Sequence, residues 1–158
     1  MNINTRPIKK FDIETLRVWK NANRQAFFCK YVITEEQQEL WYQGYWIRNL
    51  HGLDFMYIVQ CNGIDVGCIG YRIINRSIDL YNIMLGDTAF KGKGIIKQAL
   101  KLLWNYLRNK YDIPITVKVL LDNYKMWEWY ILNNWSIAEV GKDYILLTYK
   151  GGLKYEND

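Results

Sequence analysis

Lys91-Gly92-Lys93-Gly94, with Lys97 close behind, is the stretch whose residue types and spacing suit holding a phosphate. It sits inside Leu85-Gly86-Asp87-Thr88-Ala89-Phe90-Lys91-Gly92-Lys93-Gly94-Ile95-Ile96, between an apolar, strand-like run and a long amphipathic helix. Glycines let a backbone approach an anion closely and take dihedrals that other residues avoid. The first turn of the helix offers N–H groups without partners, and its dipole favours negative charge. Two common phosphate loops are excluded. A Walker-type loop needs Gly-Lys-Ser/Thr, and here Gly94 is followed by Ile95. A dinucleotide fingerprint needs a glycine where Lys97 stands.

Other reactive sets are few. Cys29, Cys61 and Cys68 have no Cys-x-x-Cys spacing, and His51 is the single histidine, so the usual zinc ligand sets cannot be assembled and no metal site is expected. His51 lies in a polar, loop-like stretch, which leaves no support for a Ser-His-Asp triad or a Cys-His pair. An odd cysteine count and a polar start from Met1 to Lys10, unlike a signal peptide, point to a reducing cytoplasm, and no apolar run reaches the length of a membrane span. The formal charge of +5 suits an acidic ligand. No run of five basic residues appears, which speaks against nucleic acid. Seven Trp and thirteen Tyr exceed what a dry core needs, so some should line a wet cleft.

The elements that must position the loop follow from periodicity. A strand from Asn2 to Ile8 leads to a helix capped at Asp12 and running through Ile13, Leu16, Trp19 and Lys20. Thr34-Glu35-Glu36-Gln37 is a capping box that opens a second helix to about Asn49, with Leu40, Trp41, Tyr45 and Ile47 or Leu50 on its apolar side. Phe55 to Gln60, Val66 to Ile74 and Ile78 to Leu85 read as an antiparallel meander, turned at Asn62-Gly63 and Asn75-Arg76-Ser77. Ile95 to Tyr111 is a helix with Ile96, Ala99, Leu100, Leu103, Tyr106 and Leu107 on one face. Ile115 to Leu121 is a buried strand expected parallel to the one before the helix. A short helix from Tyr124 to Asn134 and a hairpin of Ser136 to Val140 and Tyr144 to Tyr149 complete a single domain over residues 1–150. Residues 151–158 form a polar tail. The class is α/β (α+β): a mixed, mostly antiparallel sheet of about seven strands with about four helices and a central parallel βαβ unit.

In this order of elements, and most densely from Ile78 to Trp135, the chain resembles the Gcn5-related N-acetyltransferase (GNAT) superfamily. That family's loop reads Arg or Gln, two residues, Gly, one residue, Gly or Ala. Here Lys91 replaces the Arg or Gln, Gly94 is kept, and Ile96 replaces the small residue, where a bulky side chain narrows the approach to a pyrophosphate. Downstream, Asn123 is followed seven residues later by Tyr130 and then by Asn134-Trp135, a looser form of the family's Gly-Phe. The alternative reading of Tyr130 is a packed core tyrosine.

The resemblance implies acetyl transfer from acetyl-CoA to a primary amine. Backbone groups around Met84, Leu85 and Gly86 would bind the pantetheine and acetyl carbonyl, and the N–H groups of Lys91, Gly92, Lys93, Gly94, Ile95 and Ile96 the pyrophosphate. Asn123 would touch the pantetheine arm, and Tyr130 would protonate the leaving thiolate. Oriented N–H donors would stabilise the oxyanion. Asp79, with Tyr81 beside it, is the candidate base, and Glu128 and Asp122 are weaker ones. The acceptor site would draw on Asn21, Phe28, Tyr31 and Tyr81. Trp19-Lys20-Asn21 and Trp41-Tyr42 resemble two subgroups, one acting on amino-sugar nucleotides and one on ribosomal-protein N-termini or polyamines. The reading favours a small amine, an amino-sugar nucleotide, taken by a monomer or homodimer. A protein N-terminal, lysine or polyamine acetyltransferase, a non-catalytic acyl-CoA-binding module and a nucleic-acid binder are the alternatives.

Overall fold

The computed structural model describes residues 1–150, so the tail at 151–158 lies outside the described residues. The chain runs β1 (Ile3–Pro7), α1 (Ile13–Ala22), α2 (Glu35–Leu50), β2 (Asp54–Cys61), β3 (Ile64–Ile74), β4 (Ser77–Leu85), α3 (Ile95–Lys110), β5 (Ile115–Leu120), α4 (Tyr124–Leu132), β6 (Trp135–Val140) and β7 (Tyr144–Tyr149). Three short 3₁₀ turns, at Lys10–Asp12, Arg24–Ala26 and Thr88–Phe90, were not expected from periodicity.

The strands form one sheet in the order β1-β2-β3-β4-β5-β7-β6. All neighbours are antiparallel except β4 and β5, which α3 joins as the expected parallel crossover. The meander turns are set locally. Asn62 and Gly63 have φ of 51° and 82°, and Asn75 and Arg76 have 51° and 62°. Paired left-handed residues match the twist of two antiparallel strands, and Asn and Gly tolerate them best.

The two faces of the sheet feed separate clusters. Met56 and Ile58 of β2 join Leu16, Tyr45, Cys68 and Met84 beneath α1 and α2. Val59 and Cys61 join Ala99, Leu100 and Leu107 of α3 and Tyr130 of α4 on the other face. Alternate strand residues point to opposite faces, which gives the sheet its two layers. Each fully buried Leu or Ile contributes about 1.5–3 kcal/mol.

Three local expectations are corrected. Asp12 stands at the N-cap of α1, but its side chain makes no capping bond. Its carboxylate takes two 2.8 Å bonds from Arg6 and one from the Lys9 N–H. Burial works to raise the Asp12 pKa, but these bonds outweigh it and hold it below the usual carboxylate range. On α2 the capping box forms, with Gln37 N–H donating to Thr34 Oγ1 at 3.1 Å and Thr34 N–H to Gln37 Oε1 at 2.9 Å. Tyr45 is buried and Trp41 packs beside it as expected, but Gln38 is the other buried residue and Tyr42 joins the packing, while Leu40, Ile47 and Leu50 are exposed. The buried side must supply polar partners: Gln38 donates to the Ile13 carbonyl at 2.8 Å, and the Tyr45 hydroxyl accepts from Met56 N–H at 3.0 Å. On α3, Trp104 is buried and Tyr106 exposed. Trp104 meets Trp129, Tyr130, Trp135 and Tyr149, partners supplied by later elements.

Candidate active site

The site begins where the parallel pair stops pairing. β4 and β5 are in register only at Ile78–Ile115, Asp79–Thr116 and Leu80–Val117, although β4 runs on to Leu85 and β5 to Leu120. A bulge in β4 coincides with the separation. Gly70 faces Tyr81 and Cys68 faces Met84, so Asn82 and Ile83 together oppose Ile69. Asn82 takes φ of 49° to make the bulge. An extra residue on one strand bends it and redirects its groups. The result is a cleft of about 810 Å³ that takes in Tyr81 to Leu85 of β4, Val117 to Leu120 of β5, the Gly92–Gly94 loop, Asn123 and Tyr130.

At one end of the cleft the loop is built for an anion. Gly92 and Gly94 have φ of 79° and 68°, and space is open where a Cβ would stand on either. Gly94 caps α3. The N–H groups of Gly92, Lys93 and Gly94 make no hydrogen bond among the described residues, and those of the first turn of α3 have no intrahelical partner. Lys91, expected as a donor, is corrected: its N–H is engaged by the Thr88 carbonyl at 3.1 Å. The Gly86 N–H is likewise engaged, by the Val66 carbonyl at 2.7 Å, and Gly86 lies flat against the Trp19 indole, where no side chain would fit. Met84 and Leu85 line the cleft.

Ile96 is accommodated by a glycine distant in sequence. Its Cδ1 lies 2.8 Å from where a Cβ on Gly67 would stand, so the side chain packs on the bare backbone of β3. Ile96 also lines the cleft.

On α4, Tyr130 is fully buried among Trp104, Trp129 and Trp135. It lines the cleft, and its hydroxyl has no hydrogen-bond partner within the described residues. Burial pushes its pKa well above the ordinary tyrosine value, so the group stays protonated at neutral pH. Asn123 precedes α4 with its side chain exposed and also lines the cleft.

The remaining candidates divide. Asp79 lines the cleft, with Oδ2 held by Arg72 Nε at 2.8 Å. Arg72 in turn lies 4.4 Å over the Tyr81 ring. The Tyr81 hydroxyl is committed to buried Asp54, which Arg48 also holds at 3.0 Å. Burial and that carboxylate raise the Tyr81 pKa. Tyr81 therefore lines the cleft with its hydroxyl already engaged. Asn21 is structural: its carboxamide donates to the Ile33 carbonyl at 2.9 Å and accepts from Ile33 N–H at 2.8 Å, pinning the α1–α2 connection. Phe28 lines the cleft and Tyr31 an adjoining pocket, both exposed. Asp122 and Glu128 are absent from the lining.

Sequence reasoning did not single out Lys20 or Arg72. Tertiary pairing brings them to the site: Lys20 reaches Asn82 in the β4 bulge, and Arg72 lies across from Asp79. The cleft fits coenzyme A in three respects: unused N–H donors at the loop, a gap between parallel strands, and a buried hydroxyl without a partner.

Comparison with known proteins agrees. The profile of the family described as "Acetyltransferase (GNAT) domain" matches residues 2–130, and the chain belongs to that family. It is an acetyl-CoA-dependent N-acetyltransferase. No curated protein matches it. Among solved structures, a domain from Methanocaldococcus jannaschii is 17% identical with a TM-score of 0.79, covering 93% of this chain and 97% of its own. FdhC, a nucleotide-linked sugar GNAT in its apo form, is 14% identical with a TM-score of 0.80, covering 93% and 85%. An acetyltransferase from Salmonella typhimurium that modifies the N-terminal serine of a 50S ribosomal subunit protein is 22% identical with a TM-score of 0.70, covering 94% and 92%. At these identities the likeness is one of fold. Among the described residues, no helix is long and apolar enough to cross a membrane.

Proposed function

We propose that the acceptor is an amino-sugar nucleotide. The observation that carries this reading is the make-up of the acceptor side of the cleft: aromatic Phe27, Phe28 and Trp41 beside Lys20 and Arg72, with Asp79 as the single carboxylate in the lining. Aromatic faces suit a sugar or nucleobase, and the cations suit its phosphates. A polyamine would need an acidic cleft, and this one is basic.

Bound acetyl-CoA supplies the activated acyl group, and the protein's own residues do the rest. The N–H groups from Gly92 to Lys97 hold the pyrophosphate, and Asn123 orients the pantetheine arm. The Tyr130 hydroxyl, protonated and without another partner, gives its proton to the departing thiolate. Asp79 is the one carboxylate through which an acceptor ammonium can release its proton, directly or through water. Lys20 and Arg72 assist, since nearby positive charge favours the neutral, nucleophilic amine.

The test begins with a thermal shift on acetyl-CoA, where ligand at about a hundred times its Kd stabilises the fold by roughly 2.7 kcal/mol. Thiol release is then followed with three acceptors: an amino-sugar nucleotide, a peptide with a free N-terminus, and spermidine. Turnover strongest with the amino-sugar nucleotide supports the proposal. A preference for the peptide or for spermidine overturns the acceptor while leaving the cofactor site intact.

A further inference from the structure

Beside the cleft, between α1, α2 and the sheet, lies a smaller pocket of about 270 Å³. Most of its wall is apolar, formed by Leu16, Ile33, Trp41, Met56 and Met84. One cation reaches into it: Lys20, which also lines the main cleft. Its Nζ donates to Asn82 Oδ1 at 2.8 Å and lies 4.9 Å over the Phe27 ring. No carboxylate is within ion-pair distance of it among the described residues.

This is an incomplete arrangement. Elsewhere Arg6, Arg17, Arg48 and Arg72 each hold an acidic partner. Lys20 has one neutral amide oxygen and an aromatic face. An ammonium withdrawn from water is costly unless it is paired. Burial lowers the Lys20 pKa accordingly, with Arg72 adding repulsion and the nearby thiols Cys68 and Cys29 opposing it. Among the described residues no counter-charge stands beside the β4 bulge, next to where the acceptor amine must reach the acyl group.

We infer that Lys20 binds an oxyanion, phosphate or carboxylate, carried by the acceptor close to its amine, while the adjoining apolar pocket holds the uncharged body between them. The pocket lies just below the range of about 300–1,000 Å³ usual for larger ligands, so a nucleobase stays outside it in the main cleft. The acceptor class is therefore an anionic amine: an amino-sugar phosphate or nucleotide, or an amino acid with its carboxylate free. This rests on the acetyltransferase reading above and narrows it.

The test uses matched acceptors, an amino-sugar phosphate against the same sugar unphosphorylated and an amino acid against its amide, with wild type, Lys20→Met and Lys20→Arg. For the wild type, kcat/KM should favour the anionic member by about tenfold or more, mainly through KM. Lys20→Met should abolish that ratio and Lys20→Arg retain most of it. If Lys20 only propped Asn82, both members of each pair would fall together and the ratio would stay, which overturns the inference. Whichever pair shows the ratio identifies the oxyanion. Inorganic phosphate and acetate titrated into protein saturated with coenzyme A give a second readout that needs no turnover. Binding to wild type that is lost in Lys20→Met supports the assignment, and equal binding or none in both refutes it. A missing thermal shift with acetyl-CoA would instead sink the cofactor reading itself.

Discussion

The two walls of the cleft use their polar groups in opposite ways. On the wall formed by the β4–α3 loop and α4, donors stand idle: the N–H groups of Gly92 to Gly94, those of the first turn of α3, and the Tyr130 hydroxyl. On the wall formed by α1, α2 and their connection, polar side chains are mostly satisfied from within. Asn21 clamps Ile33, Arg17 bonds Glu14 and the Ile33 carbonyl, Asn23 donates to Trp19 and Lys30 to Gln25. Buried polar groups without partners cost stability, so where a fold keeps them a ligand is the natural partner. The first wall is built to be completed by a cofactor. The second is built to hold its own shape, with Lys20 as the exception.

Substitutions can break this contrast, and Tyr130→Phe should do so most strongly. Loss of a general acid should lower kcat by about a hundredfold or more. Stability should hold or rise by about 1 kcal/mol, because the hydroxyl removed has no partner among the described residues. A fall in Tm with full activity would make Tyr130 a core residue only. Next, Gly94→Val places a β-branched residue at φ 68° at the loop's cap. Acetyl-CoA affinity by calorimetry should weaken by about tenfold or more.

On the self-satisfied wall the losses should be in stability. Asn21→Ala should cost about 1–3 kcal/mol in urea unfolding by leaving the Ile33 N–H unpaired and its carbonyl to Arg17 alone, with acetyl-CoA affinity unchanged. Far from the cleft, Asp12 supplies a control. Its folded pKa is depressed, so its contribution is present above the unfolded value near 3.8 and is lost as pH falls through the folded one. Asp12→Asn should lower stability at pH 7 by about 1–3 kcal/mol and remove that acid step without touching acetyl-CoA binding. The smallest effect is expected at Ile96→Ala. This half-buried side chain packs on Gly67, so about 1–2 kcal/mol of stability should go while cofactor affinity stays within about twofold.

Much of this was legible in the sequence because its causes are local. The capping box at Thr34, the Asn-Gly turn, the helical stripe after Gly94 and the spacing from Asn123 to Tyr130 are all set by neighbours within a few residues. Each fixes a dihedral, a hydrogen bond or a face, and together they gave the order of elements and the parallel crossover. Where the reading went astray, the deciding partner was distant. The Asp12 carboxylate met Arg6 instead of the first turn of α1, α2 buried Gln38 beside Tyr45 and left Leu40, Ile47 and Leu50 outside, and Trp104 rather than Tyr106 turned inward toward residues from α4, β6 and β7.

By itself, then, the sequence determined the strands and helices, the Gly-Lys-Gly turn between β4 and α3, and the family they spell out, because propensity and periodicity act over a few residues. Only the tertiary structure decided which donors remain unused and which are already engaged. It set Ile96 against Gly67, tied Asn21 to Ile33, and left the Lys20 ammonium beside the β4 bulge with no counter-ion among the described residues. Hydrogen-bond satisfaction is a property of pairs, and these pairs form between residues that the chain brings together only on folding.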